Sequence, residues 1–323
     1  MAALSVFMIG IAGFNASGQL THVLKVDLKT NTTHKSPVFV VPSPLAGCAA
    51  FVDASSGGPS FIIPDGSPEE DPPHYEYLTV SISGDVIRRV PAVVDGGKVW
   101  DMPMITSFKG IGYGLGNLNP PPEPQGNSSI ISWDPVSGVT KVLDGSTDLG
   151  FIQEEPFCVG ASDATLGAAG TLLFVNGVIK KQVQQQVFAV DVAKGSLAGI
   201  TLYPSGIIQS VSAWAPAGGN HFAVLGLQSD PSNGAASTIV SIPSDPLRHW
   251  NPSTLFELPS GWQPYQGIAA VEQDTLYMLI HNDGMDNSDT LLVGDLHAKT
   301  FYTIPVGDLL SCCPFGVSGM GAV

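Results

Sequence analysis

The chain repeats one strand–turn–strand pattern, and this repeat limits the possible folds more than any other feature. Each copy alternates apolar and polar residues, reaches an aspartate, and turns into a second alternating segment. Four copies are easily recognised: His22 to Lys29 (HVLKVDLK), Ile130 to Gly138 (IISWDPVSG), Gln186 to Gly195 (QVFAVDVAKG) and Leu291 to Lys299 (LLVGDLHAK). A period of two is typical of β-strands, and recurrence at intervals of roughly 50 residues indicates an array of similar all-β units.

The two ends of the chain predict that this array is closed. A complete unit has four strands, which we call a to d from the inner to the outer edge. Phe315 to Met320 has the composition of a strand a, whereas Ser5 to Ile11 has that of a strand b with no strand a before it. Pairing of these segments would complete one unit and close a ring. We therefore predict one all-β domain over residues 1–323, a six-bladed β-propeller with four-stranded antiparallel blades.

Composition supports a folded protein and excludes some classes of partner. The 37 glycines and 26 prolines supply turns, and 44% of the residues are hydrophobic. The formal net charge is -15, from 13 basic and 28 acidic residues, whereas nucleic acids and anionic membranes attract clustered Lys and Arg. No apolar run is long enough to cross a bilayer. We expect a soluble monomer that binds a small molecule, and neither nucleic acid nor a membrane.

The cysteines and the first residues are compatible with more than one compartment. Four cysteines are too few to indicate a disulfide framework, and the adjacent Cys312 and Cys313 cannot easily bridge each other. The first 18 residues are apolar like a signal peptide, but they lack a basic start. Because they match the second strand of other units, we interpret Met1 to Gly10 as a structural strand. Three N-x-S/T sequons are compatible with secretion, and they begin at Asn15, Asn31 and Asn127.

Loop lengths predict which face of the propeller carries a site. The b-to-c connections are long in five units, as in Asp65 to Tyr75 and Gly116 to Ser128. In an antiparallel blade, the b-to-c and d-to-a loops emerge on the same side. Because binding and catalysis are commonly placed on long loops of a rigid scaffold, we expect the functional site on this face.

Residues on this face that do not recur between units are the candidates for function. Carboxylates and histidines there could act as general acids or bases, and these catalytic candidates are Glu154, Glu155, His74, His281 and Asp101. Glu154 and Glu155 are adjacent, so at most one of them faces the channel. Aromatic and amide side chains on the same loops are the candidates for substrate binding: Trp100, Trp262, Tyr265, Gln266, Tyr75 and Gln209.

The recurring aspartates have a structural interpretation instead. They end strand c in four units, as Asp27, Asp134, Asp191 and Asp295. A carboxylate at this position accepts hydrogen bonds from the backbone N–H groups of the following turn. We therefore predict that these four residues stabilise turns.

A second recurring set suggests a metal site. Asp or Asn falls at or just after the end of strand b in four units, as Asp65, Asn117, Asn176 and Asn282. Oxygen ligands placed around one axis could hold a hard cation such as Ca²⁺. Asp and Asn also favour such turns for purely local reasons, so both interpretations stand.

The overall pattern resembles the six-bladed propeller superfamily that includes the gluconolactonase and strictosidine synthase-like proteins. The likeness covers nearly the whole chain and rests on the blade period and the turn pattern. It implies a site at the mouth of the central channel, with a cation site to which Asp65, Asn117, Asn176 and Asn282 would correspond. One expected function is therefore a hydrolase, lyase or cyclase acting on a small organic molecule. The alternative is a non-catalytic propeller that binds carbohydrate or protein.

Overall fold

The structure, a computed structural model, contains β-strands and no helix in the residues that it describes. These are residues 4–42, 49–54, 58–67, 74–91, 93–94, 101–108, 111–117, 128–134, 136–137, 139–143, 161–162, 171–176, 186–191, 194, 196–202, 210–216, 221–230, 234–243, 253–259, 262–272, 274–282, 289–307 and 317–323. Within these ranges the strands form six sheets, which we number I to VI in chain order.

Sheets I to III are formed largely by the first half of the chain. Sheet I contains β1 (Ser5–Asn15), β2 (Gly18–Asp27), β3 (Thr32–Lys35), β4 (Phe39–Val41) and the last strand, β26 (Val317–Ala322). Sheet II contains β5 (Ala50–Ala54), β6 (Gly58–Ser67), β7 (His74–Ser81) and β8 (Val86–Pro91). Sheet III contains β9 (Val93–Val94), β10 (Asp101–Phe108), β11 (Ile111–Asn117), β12 (Ser128–Trp133) and β13 (Val139–Val142).

Sheets IV to VI repeat the same meander with four strands each. Sheet IV contains β14 (Ala161–Ser162), β15 (Thr171–Asn176), β16 (Gln186–Asp191) and β17 (Ser196–Leu202). Sheet V contains β18 (Ser210–Pro216), β19 (His221–Asp230), β20 (Gly234–Pro243) and β21 (Ser253–Glu257). Sheet VI contains β22 (Trp262–Glu272), β23 (Thr275–Asn282), β24 (Asp289–Asp295) and β25 (Thr300–Gly307).

Two sheets depart from the uniform four-stranded antiparallel pattern that the sequence predicts. In sheet I, β2 pairs with β4 as well as with β3. In sheet III, β9 pairs parallel with the outer strand β13. This short strand comes from the connection between sheets II and III and covers an edge whose backbone groups would otherwise lack partners. The prediction of four antiparallel strands in every blade was therefore wrong for these two sheets.

The first and last strands belong to the same sheet. β26 pairs antiparallel with β1, as the sequence predicts for these two segments. The N–H groups of Leu4 and Ser5 both donate to the carbonyl of Val323, at 2.9 and 3.0 Å. Sheet I therefore combines one strand from the end of the sequence with four from its beginning.

Sheet I is buried on both faces because it packs between two other sheets. Val6 and Met8 of β1 lie in an apolar cluster with β23 and β24 of sheet VI. The alternate residues, Phe7 and Ile9, lie in a separate cluster with β6 and β7 of sheet II. This explains why the four residues form a continuous apolar run, which is typical of strands covered on both sides.

Sheet VI is buried in the same way. Leu276 and Met278 of β23 pack with sheet V, whereas Tyr277 and Leu279 pack with sheet I. The first strands of the six sheets also contact one another in order: β26 with β5, β5 with β10, β10 with β14, β14 with β18, β18 with β22, and β22 with β26. The sheets are therefore stacked face to face, with their first strands next to one another.

Aromatic rings that lie over glycines bring neighbouring sheets close together. Trp133 of β12 lies over Gly112 of β11 and stacks on Tyr77 of sheet II, with ring centroids 4.8 Å apart and planes inclined by 6°. Both rings are buried, and burial raises the pKa of Tyr77 above its ordinary value. Between sheets V and VI, a Cβ on Gly294 would lie 2.7 Å from Cζ of Phe256. The absence of a side chain at these glycines therefore makes room for the rings.

The predicted role of the recurring aspartates is confirmed for three of the four. Oδ1 of Asp27 accepts hydrogen bonds from the N–H groups of Lys29 and Thr30 at 3.0 and 2.9 Å. Oδ1 of Asp295 accepts from residues 297 and 298 at 2.9 and 2.7 Å, and Oδ1 of Asp134 accepts from Val136 at 2.8 Å. These donors hold the pKa values of the Asp27 and Asp134 carboxyls below their ordinary value. The side chain of the fourth, in β16, lies outside the described residues.

We predict that Gly112→Ala lowers stability by about 2 kcal/mol or more, because the added Cβ overlaps the indole of Trp133 in a closely packed seam. Gly13→Ala is the matched control, since its Cβ would lie 3.9 Å from the nearest atom, Cδ1 of Leu20. Urea denaturation followed by tryptophan fluorescence measures both variants. Equal midpoints for the two variants would contradict the packing argument.

We predict that Asp134→Asn destabilises the protein near neutral pH and has little effect in acid. The pKa of Asp134 is lowered in the folded state from 3.8, so its contribution is present above the unfolded pKa and is lost as the pH falls through the folded value. Asparagine keeps an oxygen that accepts from Val136 and removes the charge, so the loss near pH 7 should be below about 1 kcal/mol, the value of a whole net hydrogen bond. The difference between the urea midpoints of wild type and variant should begin to shrink below about pH 4 and should vanish as the pH falls through the lowered folded pKa of Asp134. A constant difference from pH 7 to acid would refute this explanation.

Candidate functional site

One end of each sheet is where strand b finishes and strand c begins, and we call it the loop end. In sheet III, Asp101 at the start of β10 pairs with Asn117 at the end of β11. In sheet VI, Trp262 at the start of β22 pairs with Asn282, and the neighbouring Gln263 pairs with His281. The starts of the inner strands and the ends of the second strands therefore lie together at the loop end.

For most of the predicted site residues, the structure describes the backbone at the loop end but does not describe the side chain. These are His74 and Tyr75 in β7, Asp101 in β10, Asn117 in β11, Asn176 in β15, Tyr265 and Gln266 in β22, and His281 and Asn282 in β23. The predictions for Trp100, Glu154, Glu155 and Gln209 lie outside the described residues, as do those for Cys312 and Cys313. Side chains are described for Asp65 and Trp262.

Tyr265 and Gln266 lie where β22 departs from regular pairing. The register between β22 and β23 shifts between Pro264 and Ala269. An irregularity of this kind leaves residues of one strand outside the regular ladder and bends that strand. The irregular stretch therefore separates the paired start of β22 from its paired second half.

Trp262 has a structural role at the loop end. Its side chain is half-buried and packs on the apolar cluster between sheets V and VI. The backbone N–H of Trp262 donates to the carbonyl of Pro259 at 3.1 Å. This bond holds the start of β22 against the preceding turn. The indole therefore closes one end of the apolar seam and leaves part of its surface exposed.

Asp65 belongs to a small ionic cluster in sheet II. It is 5% exposed, and its Oδ2 lies 3.4 Å from Nη1 of Arg89. The same nitrogen lies 3.4 Å from Oε2 of Glu76, which pairs with Asp65 across the two strands. The arginine side chain is 42% exposed, so solvent screens this attraction and the pair is weaker than a fully buried one.

The side of sheet I that faces sheet II also carries polar residues at the loop end. Thr21 is fully buried and Gln19 is 8% exposed, and Nε2 of Gln19 donates to Oγ1 of Thr21 at 3.2 Å. Both residues lie on the same face of β2 as Val23, which packs in the cluster between sheets I and II. The seam between these sheets is therefore apolar over most of its length and polar at the loop end.

Asp289 is a residue that the sequence reasoning missed. It begins β24 and is 1% exposed, and the following Thr290 is 5% exposed. Buried carboxylates are rare in proteins unless they are paired. The available signal was the alternation in β24, which puts Asp289 on the same face as Leu291 and Val293, both of which pack against sheet I. Sheet VI therefore has a buried carboxylate at its loop end, on the same face as core residues.

The one candidate calcium ligand whose side chain is described does not fit a cation site. A guanidinium nitrogen lies 3.4 Å from Oδ2 of Asp65, and this positive charge opposes binding of a second cation at the same carboxylate. Among the described side chains, no three of His, Cys, Asp or Glu are grouped so as to hold a metal ion.

The described residues contain no helix that is long and apolar enough to cross a membrane. No protein-family model and no curated protein sequence matches the chain.

Solved structures are similar to this chain in fold at low sequence identity. A point mutant of Synechocystis ACO is 11% identical, with a TM-score of 0.51 over 100% of this chain and 92% of that one. A putative 6-phosphogluconolactonase from Bacteroides uniformis is 10% identical, with a TM-score of 0.47 over 95% and 98%. The Dos1 propeller is 9% identical, with a TM-score of 0.45 over 86% and 64%. Identities this low concern the fold alone.

We predict that Arg89→Met destabilises the protein by about 1 kcal/mol, because the substitution removes a cation from beside a buried carboxylate. The neighbouring Arg88 is the matched control. It points to the opposite face of β8, and its Nη1 reaches the carbonyl of Val136 only at 3.5 Å, so Arg88→Met should have little effect. Urea denaturation of both variants tests this difference, and similar losses would refute a special role for Arg89.

Proposed function

We propose that the protein is a monomeric enzyme for a small organic molecule, built as one closed six-bladed propeller over residues 1–323. The six sheets are the blades, and the shared sheet of β1 and β26 closes the ring. Support comes from the contacts of the first strands, which run from sheet to sheet and return to the first. Further support comes from the burial of both faces of sheets I and VI. A closed ring of this kind leaves one axis onto which a single site can open.

The observation that carries the functional proposal is the register at the loop end. Asp101 and Trp262 begin inner strands of two different sheets, and Asn117 and Asn282 are their direct partners. Inner strands lie next to the common axis, so residues at their starts surround its mouth. Positions from separate blades would then surround one small space, which is the arrangement that small-molecule sites commonly have.

The proposed chemistry is general acid–base catalysis of a hydrolase, lyase or cyclase reaction. His281, His74, Asp101 and one of Glu154 and Glu155 are the groups that would take a proton from the substrate or water and return it to the product. Apolar walls would come from aromatic residues of the same end, and hydrogen bonds to the substrate from amides and a phenol: Trp100, Trp262, Tyr265, Gln266, Gln209 and Tyr75.

No step of this reaction uses a cation. A calcium site would depend on Asn117, Asn176 and Asn282, because Asp65 is paired with Arg89. Amide oxygens alone carry no charge and bind Ca²⁺ more weakly than carboxylates do. Calcium binding is therefore a separate proposal, which elemental analysis of the purified protein addresses directly.

We predict that loop-end substitutions impair turnover whereas substitutions at the opposite end do not. Thermal-shift screening with lactones, esters, glycosides and free sugars finds a ligand, and product analysis by NMR follows its turnover. His281→Gln and Asp101→Asn should lower kcat/KM by about 100-fold, as expected for loss of a general acid or base. His297→Gln and Tyr302→Phe are matched controls, because both residues are exposed away from the loop end of sheet VI.

The outcomes separate the two functions expected from the sequence. Turnover that survives both loop-end substitutions would refute the proposed site. A ligand that binds at the loop end and is never converted would support the alternative, a non-catalytic propeller that binds carbohydrate. A protein that neither binds nor converts any compound of the panel would contradict the proposed substrate class.

A further inference from the structure

Two of the three N-x-S/T sequons lie in exposed turns of sheet I. The first begins at Asn15 in the turn between β1 and β2, and the second begins at Asn31 in the turn between β2 and β3. These turns are at opposite ends of the same sheet. Glycosylated asparagines must lie on the surface, because the attached sugars are bulky and hydrated. The third sequon, at Asn127, begins outside the described residues.

Asn15 ends β1 and its whole tripeptide is exposed. It pairs with Gly18 across a turn formed by Ala16 and Ser17, and all of Asn15, Ala16 and Ser17 are exposed. Oδ1 of Asn15 accepts a hydrogen bond from the N–H of Ser17 at 2.7 Å. This bond uses the oxygen of the side-chain amide and does not involve its nitrogen, which is the atom to which a glycan attaches.

Asn31 is exposed in a turn whose geometry recurs in sheet VI. It follows Asp27 by four residues and has a φ of 55°, and Lys299 follows Asp295 by four residues with a φ of 56°. Asn adopts this left-handed conformation more readily than most residues. The aspartate thus fixes the turn, and the residue at its last position is exposed in both sheets. In sheet VI the lysine at this position donates from Nζ to the carbonyl of Thr254 at 3.3 Å.

We propose that Asn15 and Asn31 are acceptor sites for N-linked glycans. In the transfer, Nδ2 of the asparagine forms a bond to C1 of an oligosaccharide, and the bond between C1 and the diphosphate oxygen of a lipid carrier breaks. The carrier leaves as a lipid diphosphate, and the amide nitrogen loses one proton to a base of the transferring enzyme. The co-reactant is a lipid diphosphate-linked oligosaccharide. No oxidant or reductant takes part, and because both asparagines are exposed, we expect the strands that the turns join to keep their pairing.

The test is expression of the full chain behind a secretion leader in a eukaryotic host. The purified protein is treated with peptide N-glycosidase in heavy-oxygen water, which converts each occupied asparagine to a labelled aspartate. Peptide mass mapping should find the label at residues 15 and 31. Asn251 is an internal control, because Pro252 precedes Ser253 and makes this tripeptide a poor acceptor.

Substitutions of the hydroxyl residue distinguish glycan loss from damage to the turn. Ser17→Ala should remove the glycan at Asn15 alone, and Thr33→Ala should remove the glycan at Asn31 alone, with both asparagines retained. Asn15→Gln and Asn31→Gln should have the same effects. Circular dichroism should show the same β content in glycosylated, enzymatically deglycosylated and cytosolic protein.

Unlabelled asparagines at both positions in the secreted, folded protein would overturn the proposal. Label at only one position would overturn it for the other. Loss of β structure in the glycosylated protein would also count against it, because it would mean that the turns do not accommodate a glycan.

Discussion

Burial of both faces of sheets I and VI is the constraint on which the rest of the structure depends. Sheet I has one apolar cluster with sheet II and another with sheet VI, so alternate residues of a single strand enter different cores. Each fully buried aliphatic side chain contributes about 1.5–3 kcal/mol relative to an exposed one. A strand in this position cannot be amphipathic, which is why Val6–Ile9 is apolar throughout. The polar residues are consequently displaced to the strand ends and turns.

Because most buried positions are apolar, the buried polar residues need an explanation. Thr21, Asp65 and Asp289 are buried polar residues, and all three lie near the loop end of their sheets. Burial of a polar group is costly unless it has partners, so such residues persist where partners or a ligand compensate. At Asp65 the compensation includes Arg89. The two buried carboxylates, Asp65 and Asp289, lie at the loop end, whereas the buried hydroxyl residues Ser5, Ser60 and Thr140 lie toward the opposite end.

Much of the fold could be predicted because its signals are local. The short apolar run from Leu291 to Val293 indicates a buried strand, and the position of Asp295 indicates a turn whose N–H groups need an acceptor. The pairing of the first and last strands was also predictable, since each lacked a neighbour within its own unit. The extra strands β4 and β9 were not, because three-residue and two-residue strands have no periodicity. Only their neighbours decide whether they pair.

For the candidate site, the sequence by itself determined which residues end each strand, and hence that Asp101, Asn117, His281 and Asn282 share one end of the sheets. Strand direction alternates in an antiparallel meander, so this follows from local order. Only the tertiary structure decided that Asp289 is buried, and that Asp65 is paired with an arginine 24 residues away in the sequence. Burial and ion pairing depend on which sheet faces which, and local periodicity carries no information about that choice. The recurring strand–turn–strand pattern therefore specifies the units. The stacking of the sheets specifies the environment of each polar side chain.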